Sequence, residues 1–231
     1  MPSSDHASPF SPLHAVDGYL PIEDHGLIGD GSTAGLVARD GSVAWLCIPH
    51  FDGDPLFCSL LDTERGGSFR LAPTEVVEAR QRYELDTGVL ITELRSPDGL
   101  VRITDCLTLR GGADLREDVA AGRHELLRTV VAVDGSVRMV ADVAPRGGAT
   151  AVRRGDGVQV RLARRPEVDL QLVATVPLDG LRGTFDLRAG EEARFVLRWG
   201  EHPHRSRATD LPALLENTLD AWRRCRGRRA S

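Results

Sequence analysis

A chain of 231 residues that is 41% hydrophobic can bury a sizeable core and fits one large β domain or two small ones. Its net charge of −5 gives no general attraction to nucleic acid or to an anionic membrane surface, so neither is expected as a partner. Only 5% of the residues are aromatic, which argues against a binding module built on open ring platforms.

Residues 1–20 are rich in Pro and Ser, with no basic n-region and no apolar h-region. They read as a disordered lead-in, not as a signal peptide. No window approaches the ~18 apolar residues of a membrane span. Cys47, Cys58, Cys106 and Cys225 form no C-x-x-C pair and read as buried, reduced thiols. A reducing, cytoplasmic setting is the simplest expectation.

Pro21 to Asp62 carries the densest mixed chemistry. Gly26, Gly29 and Gly31 sit among Asp24, His25 and Asp30. The runs TAGLVA and VAWLCI flank Asp40-Gly41 and predict a hairpin, because Asp-Gly tolerates the positive φ angles of a tight turn. Val43 to Ile48 suits a strand buried on both faces. Pro49 ends it, His50 to Pro55 forms a polar loop, and Leu56 to Leu61 returns to the core.

Short strands follow at 68–72, 76–84 (with a wet face) and 88–95. Pro97-Asp98-Gly99 turns the last of these into 100–109, a second hairpin. In 100–109, Val101, Ile103 and Leu107 share a face opposite Arg102, Thr104 and Thr108, while Asp105 and Leu109 loosen the alternation. Residues 111–122 read as a loop. Residues 124–133 and 136–144 flank Asp134-Gly135 and predict a third hairpin. A fourth turn, Gly155-Asp156-Gly157, separates 149–154 from 158–163. Strands at 168–176, 181–187 and 193–199 complete the series. Many short strands without βαβ alternation predict an all-β fold. The expected architecture is an antiparallel two-sheet sandwich, with a closed barrel as the structural alternative. In 210–225, Leu211, Leu214, Leu215, Leu219 and Trp222 fall on one helical face; Asp210 can cap this helix, and Pro212 is tolerated in its first turn. The domain plan is a lead-in over 1–20, a β-sandwich domain over 21–200 and a linker helix over 209–226.

Ile22 to Asp30, Asp40 to Ser42, Trp45 to Cys47, and Pro49 with Phe51 and Asp52 together resemble the opening of bacterial glycoside hydrolase family 15 proteins, the glucoamylase and trehalase-like group. His50 stands where that pattern carries an arginine. Leu126 to Val143 and Thr218 to Arg224 (TLDAWRR) extend the resemblance to the segment leading into the family's catalytic domain. It implies a non-catalytic N-terminal β-sandwich domain that buttresses an (α/α)6 barrel, in cis or in trans, and lends a loop to its active site. In full-length relatives it implies α-glucoside hydrolysis of glucan 1,4-α-glucosidase or trehalase type. The alternative is a stand-alone carbohydrate-binding module for α-glucans or trehalose.

Such a glycosidase needs two carboxyl groups flanking the scissile bond. No segment here matches the family's catalytic carboxylates, so no catalytic residue is assigned, and the chain alone is expected to be inactive. Substrate-rim or domain-interface candidates are Asp24, His25, Asp30, His50, Phe51, Asp52 and Trp222, with an α-glucoside at a shared edge as the ligand. The same carboxylates also serve as turn and capping groups, since Asp beside Gly or Pro bonds its own backbone. GLIGDG is not a G-x-G-x-x-G phosphate loop, and His202-x-His204 lacks clear further metal ligands, so neither cofactor nor metal is expected.

Overall fold

The computed structural model describes residues 9–117, 119–200 and 211–227. The chain opens with β1 (His25–Gly29), β2 (Ala34–Ala38) and β3 (Ser42–Cys47), and the Asp40-Gly41 turn joins the last two as predicted. β1 pairs antiparallel with β2. Its strand character was hidden by its glycines, yet burial alternates along it and Ile28 is fully in the core. Next come β4 (Pro55–Phe57), β5 (Ser68–Pro73), β6 (Glu78–Tyr83), β7 (Leu90–Ser96) and β8 (Gly99–Leu109). The apolar run after Pro55 enters the core only briefly, and Leu61 is exposed. The rest comprises β9 (Gly122–Ala144), β10 (Ala149–Arg154), β11 (Gly157–Leu162), β12 (Leu170–Ala174), β13 (Arg182–Arg188), β14 (Glu192–Trp199) and a single α-helix among the described residues, α1 (Leu211–Gly227).

All the pairings are antiparallel, as the sequence implies. One sheet runs β1-β2-β3-β5-β9-β13, with β4 beside the end of β3. The other runs β6-β7-β8-β9-β14-β12-β11-β10. Strand β9 belongs to both, which corrects the third predicted hairpin. It is one continuous strand of 23 residues. Its first half pairs with β8 and β14, and its second half with β5 and β13. A tight turn at Asp134-Gly135 would fold the halves on each other and strip these four strands of their central partner. Gly135 instead bends the strand, at φ +75°, where an added Cβ would lie 2.0 Å from the Asp98 carbonyl oxygen.

The sheets pack face to face over a shared apolar core. Phe69 of one sheet meets Phe195 of the other edge to face, with ring centroids 6.1 Å apart. Asp105 lies on the same inward face as Val101, Ile103 and Leu107, so the alternation is tighter than the sequence suggested. Its partner is Arg128, directly opposite on β9, with Nε 2.8 Å from Oδ1 and both side chains fully buried. Arg128 also donates to the carbonyls of Gly41 and Phe69 on the facing sheet.

Helix α1 packs on the outer face of the second sheet. Leu211 and Leu214 cover Val89, Cys106, Leu127 and Val196, with Leu215, Leu219 and Trp222 beside them. The Thr218 hydroxyl donates to the Leu214 carbonyl (2.7 Å) and accepts from the Leu109 amide (3.1 Å), tying helix to sheet. The predicted cap, Asp210, lies outside the described residues. From Pro9 the lead-in lies against β6: Ser11 and Ala79 exchange backbone hydrogen bonds, and the Phe10 ring sits 4.4 Å from the Arg80 guanidinium.

Candidate functional site

The candidate residues fall into two groups at opposite ends of β1. Asp24 ends the short 3-10 turn before this strand, His25 begins it and Asp30 follows it; five residues at ~3.4 Å each separate the groups by roughly 17 Å.

At the first end, Asp24 forms a two-point ion pair with Arg39, with Oδ1 2.8 Å from Nε and Oδ2 2.9 Å from Nη2. Arg39 also holds the lead-in at Ser11 and Pro12. Asp24 is thereby committed to structure. His25 Nδ1 lies 3.0 Å from the Pro21 carbonyl oxygen, which can only accept, so this nitrogen carries the proton. His25 also lines a shallow cavity of about 250 Å³ with Tyr19, Asp40, Ser42 and Arg70. Arg70 there is neutralised by Asp40 at 3.0 Å.

The second end gathers Asp30, His50, Phe51 and Asp52. The Phe51 amide donates to the Ser32 carbonyl (3.0 Å), which joins the β3–β4 loop to the β1–β2 turn. Phe51 projects into solvent at 71% exposure, and Asp52 is exposed. The His50 ring meets His124 edge to face at 5.8 Å, and His124 stacks on Trp199 at 6.3 Å. His124 and Trp199 were not among the sequence candidates. His124 has φ +56°, a conformation that side-chain-bearing residues seldom adopt, and nothing in its sequence context signals it.

Asp30 is the buried member of the group, at 2% exposure. Its Oδ1 accepts from the amides of Ser32 (2.9 Å) and Thr33 (2.8 Å), the turn chemistry expected of Asp before Gly. Its Oδ2 is buried and has no hydrogen-bond partner. This oxygen lies against Gly122, where an added Cβ would come within 2.2 Å of it. Only a glycine admits the carboxylate so close to β9.

Asp30 shares a cavity of about 410 Å³ with Trp222, Glu117 and Val119. Trp222, a sequence candidate nearly two hundred positions away, is thus brought next to Asp30. Its Nε1 is also buried and without a partner. The wall contributed by Leu115, Glu117, Val119, Ala120 and Ala121 was read only as irregular loop. The length of the loop read at 111–122 was the available signal, since long loops concentrate binding residues.

Among the described residues, no three His, Cys, Asp or Glu side chains converge as metal ligands. His202 and His204 lie outside the described residues. No described helix is long and apolar enough to cross a membrane.

These features define an antiparallel β-sandwich domain with one packed helix and a loop-lined cavity at one end. Residues 15–176 match the family described as trehalase-like, N-terminal, and the chain belongs to that family. It is 30% identical over 230 residues to the trehalase of Mycolicibacterium smegmatis, covering 89% of this chain and 34% of that one. To the trehalase of Mycobacterium tuberculosis it is 27% identical over 229 residues, with the same shares. A shorter match, 39% identical over 93 residues, joins it to the trehalase of Thermoplasma volcanium and covers 39% of this chain and 15% of that one. The chain therefore spans about a third of the length of the mycobacterial relatives.

Proposed function

We propose that this chain is the non-catalytic N-terminal β-sandwich domain of a family 15 glycoside hydrolase of glucoamylase or trehalase type. Its role is to buttress an (α/α)6 catalytic barrel supplied in cis or in trans, and its loop end approaches that barrel's α-glucoside site. Membership of the trehalase-like N-terminal family and the one-third span of longer trehalases support this reading.

A contiguous apolar surface carries the docking part of the argument. The Tyr83 hydroxyl donates to the Leu27 carbonyl (2.9 Å) and accepts from the Leu27 amide (2.8 Å), so the Tyr83 side chain lies against the Leu27 backbone. Tyr83, Leu85 and Trp222 line one cavity, and Trp222 shares the next with Val119. Leu85 is 71% exposed, and Leu27, Tyr83 and Val119 are exposed as well. Contiguous apolar surface on a domain marks a contact face.

Two measurements test the proposal. The purified chain should release no glucose from trehalose or maltose. Release that survives repurification and disappears in Asp30→Asn or Asp52→Asn would overturn the non-catalytic role. Placing the chain ahead of the C-terminal two thirds of the Mycolicibacterium smegmatis trehalase should give an active chimera. Leu85→Asp with Val119→Asp should then lower its yield or activity at least severalfold. An unaffected chimera would remove the docking face.

A further inference from the structure

We infer that the free edge of β10 is a strand-addition site for an acidic, extended segment of a partner polypeptide. The buttressing role does not need this edge, so the inference goes beyond it and can fail separately. In their sheet β6 and β10 are the opposite ends, seven strand spacings of about 4.8 Å apart, which puts β10 roughly 34 Å along the sheet from the surface around Tyr83.

The two sheets end in four strands, β1 and β13 in one, β6 and β10 in the other. An end strand presents a row of unpaired amides and carbonyls, which natural sheets cover, shorten or interrupt. Here β6 is met by the lead-in, where Ser11 and Ala79 exchange backbone hydrogen bonds. At β1 the Tyr83 hydroxyl engages both the amide and the carbonyl of Leu27. At the start of β13 the 177–182 turn folds back on Gly183, where an added Cβ would lie 2.9 Å from the Pro177 carbonyl oxygen. Strand β10 has no such cover. Among the described residues its strand partner is β11 alone, and the register runs unbroken from Ala149–Leu162 to Arg154–Gly157, with neither a bulge nor a proline. Gly180 comes near the Ala151 side chain, but no backbone hydrogen bond joins it to β10. Half of the amides and carbonyls of β10 therefore face away from β11 without a neighbouring strand.

Charge selects the occupant. Arg146, Arg153, Arg154, Arg161 and Arg164 are exposed around this strand and form no ion pair among the described residues. Arg153 and Arg154 end β10, Arg161 lies opposite Thr150, and the Arg164 side chain lies over Gly147 just before the strand. The acids nearby in sequence are Asp156, Glu167 and Asp169, and Asp169 accepts from Gln159. This edge is thus basic in a chain whose net charge is −5. A second copy would bring the same arginines to the junction, so charge opposes self-pairing. Carboxylates on an added strand would instead meet guanidinium groups, which hold them by charge-assisted hydrogen bonds. Thr150, Val152 and Arg154 share one face, with Val152 52% exposed, so β-branched residues alternating with carboxylates fit beside them. Backbone bonds to an open edge supply affinity and the flanking side chains supply the choice of partner.

A fluorescent, terminally capped peptide alternating Glu with Val over about eight residues, the length of an ordinary strand, tests the site on the full chain by anisotropy. Saturable binding with a dissociation constant on the order of 10–100 μM is expected for so small an interface. Bound peptide should slow amide exchange in β10 and leave β6 unchanged. The same peptide N-methylated at every residue keeps its charge and side chains but has no amide to donate, and should bind about tenfold more weakly or worse. Arg153→Glu combined with Arg154→Glu should weaken the parent peptide by about tenfold or more at an unchanged melting temperature, since both side chains are exposed. Four results overturn the inference: no binding of the Glu–Val peptide at about 1 mM, equal binding of its N-methylated form, equal binding of a single-stranded oligonucleotide of the same charge, or protection of β10 by dimerisation of the chain without peptide. None of these outcomes bears on the chimera, which reports the docking role alone.

Discussion

Arg128 carries the strongest single-residue argument in the molecule. Its guanidinium is fully buried between the sheets, paired to Asp105 on its own sheet and donating to two carbonyls on the other. Desolvation makes such a pair a poor source of net stability, but losing one partner strands the other in the core. Arg128→Met should therefore destabilise the chain by about 3–5 kcal/mol in a urea titration. Adding Asp105→Leu should recover part of that loss, because the stranded carboxylate is gone. A double variant as weak as the sum of the singles would mean that the pair is not coupled. In sequence, Asp105 reads as a break in an alternating strand; its partner is 23 residues away and becomes visible only when β8 and β9 are paired.

At the scale of elements, the outer face of the second sheet shows how charge is managed without a core. Glu93 is nearly buried on β7 and lies between Arg80 of β6 and Arg102 of β8, with oxygens 2.5 Å from Arg80 Nη2 and 2.8 Å from Arg102 Nη2. Burial alone would raise its carboxyl, but the hydrogen bonds and charges of Arg102 and Arg80 together outweigh it and hold the group below its ordinary value of 4.5. A carboxyl lowered by folding contributes in full above its unfolded value and loses that contribution as pH falls through the folded one. Glu93→Gln should thus be less stable than the parent near neutrality, with the gap closing as pH falls below the ordinary 4.5 and through the lowered folded value. Chemical denaturation at each pH measures it, and a gap independent of pH would exclude the ion pairs as its source. Helix α1 shows the opposite situation, since its apolar stripe was legible from spacing alone and packs where an amphipathic helix must.

For the whole molecule, β9 decides the cooperativity. Because one strand is central to both sheets, neither sheet can open without removing its neighbour's middle strand. Thermal unfolding of the chain should be a single transition, and amides of β9 should be among the last to exchange with solvent. Two separated transitions, one per sheet, would contradict this. In the proposed role, the same unity would keep Leu27, Tyr83, Leu85 and Val119 fixed relative to the loop cluster around Asp30.

The sequence by itself determined the all-β class, most strand positions, the hairpins at Asp40-Gly41, Asp98-Gly99 and Gly155-Asp156, the C-terminal amphipathic helix, and the family. These rest on local signals: period-two burial, turn chemistry and ordered motifs spaced along the chain. Tertiary structure decided the rest. Asp134-Gly135 has the composition of a hairpin turn, and only the four strands competing for β9 make it a bend. Asp24 and Asp30 look equivalent in sequence, yet Arg39 occupies one while Gly122 leaves room beside the other. Trp222 was a candidate by its place on the apolar helix face, but only the docking of α1 against β8 sets it in one cavity with Asp30. Pairing between segments far apart in sequence leaves no local trace, because it is fixed by which faces remain unburied once the local elements have formed.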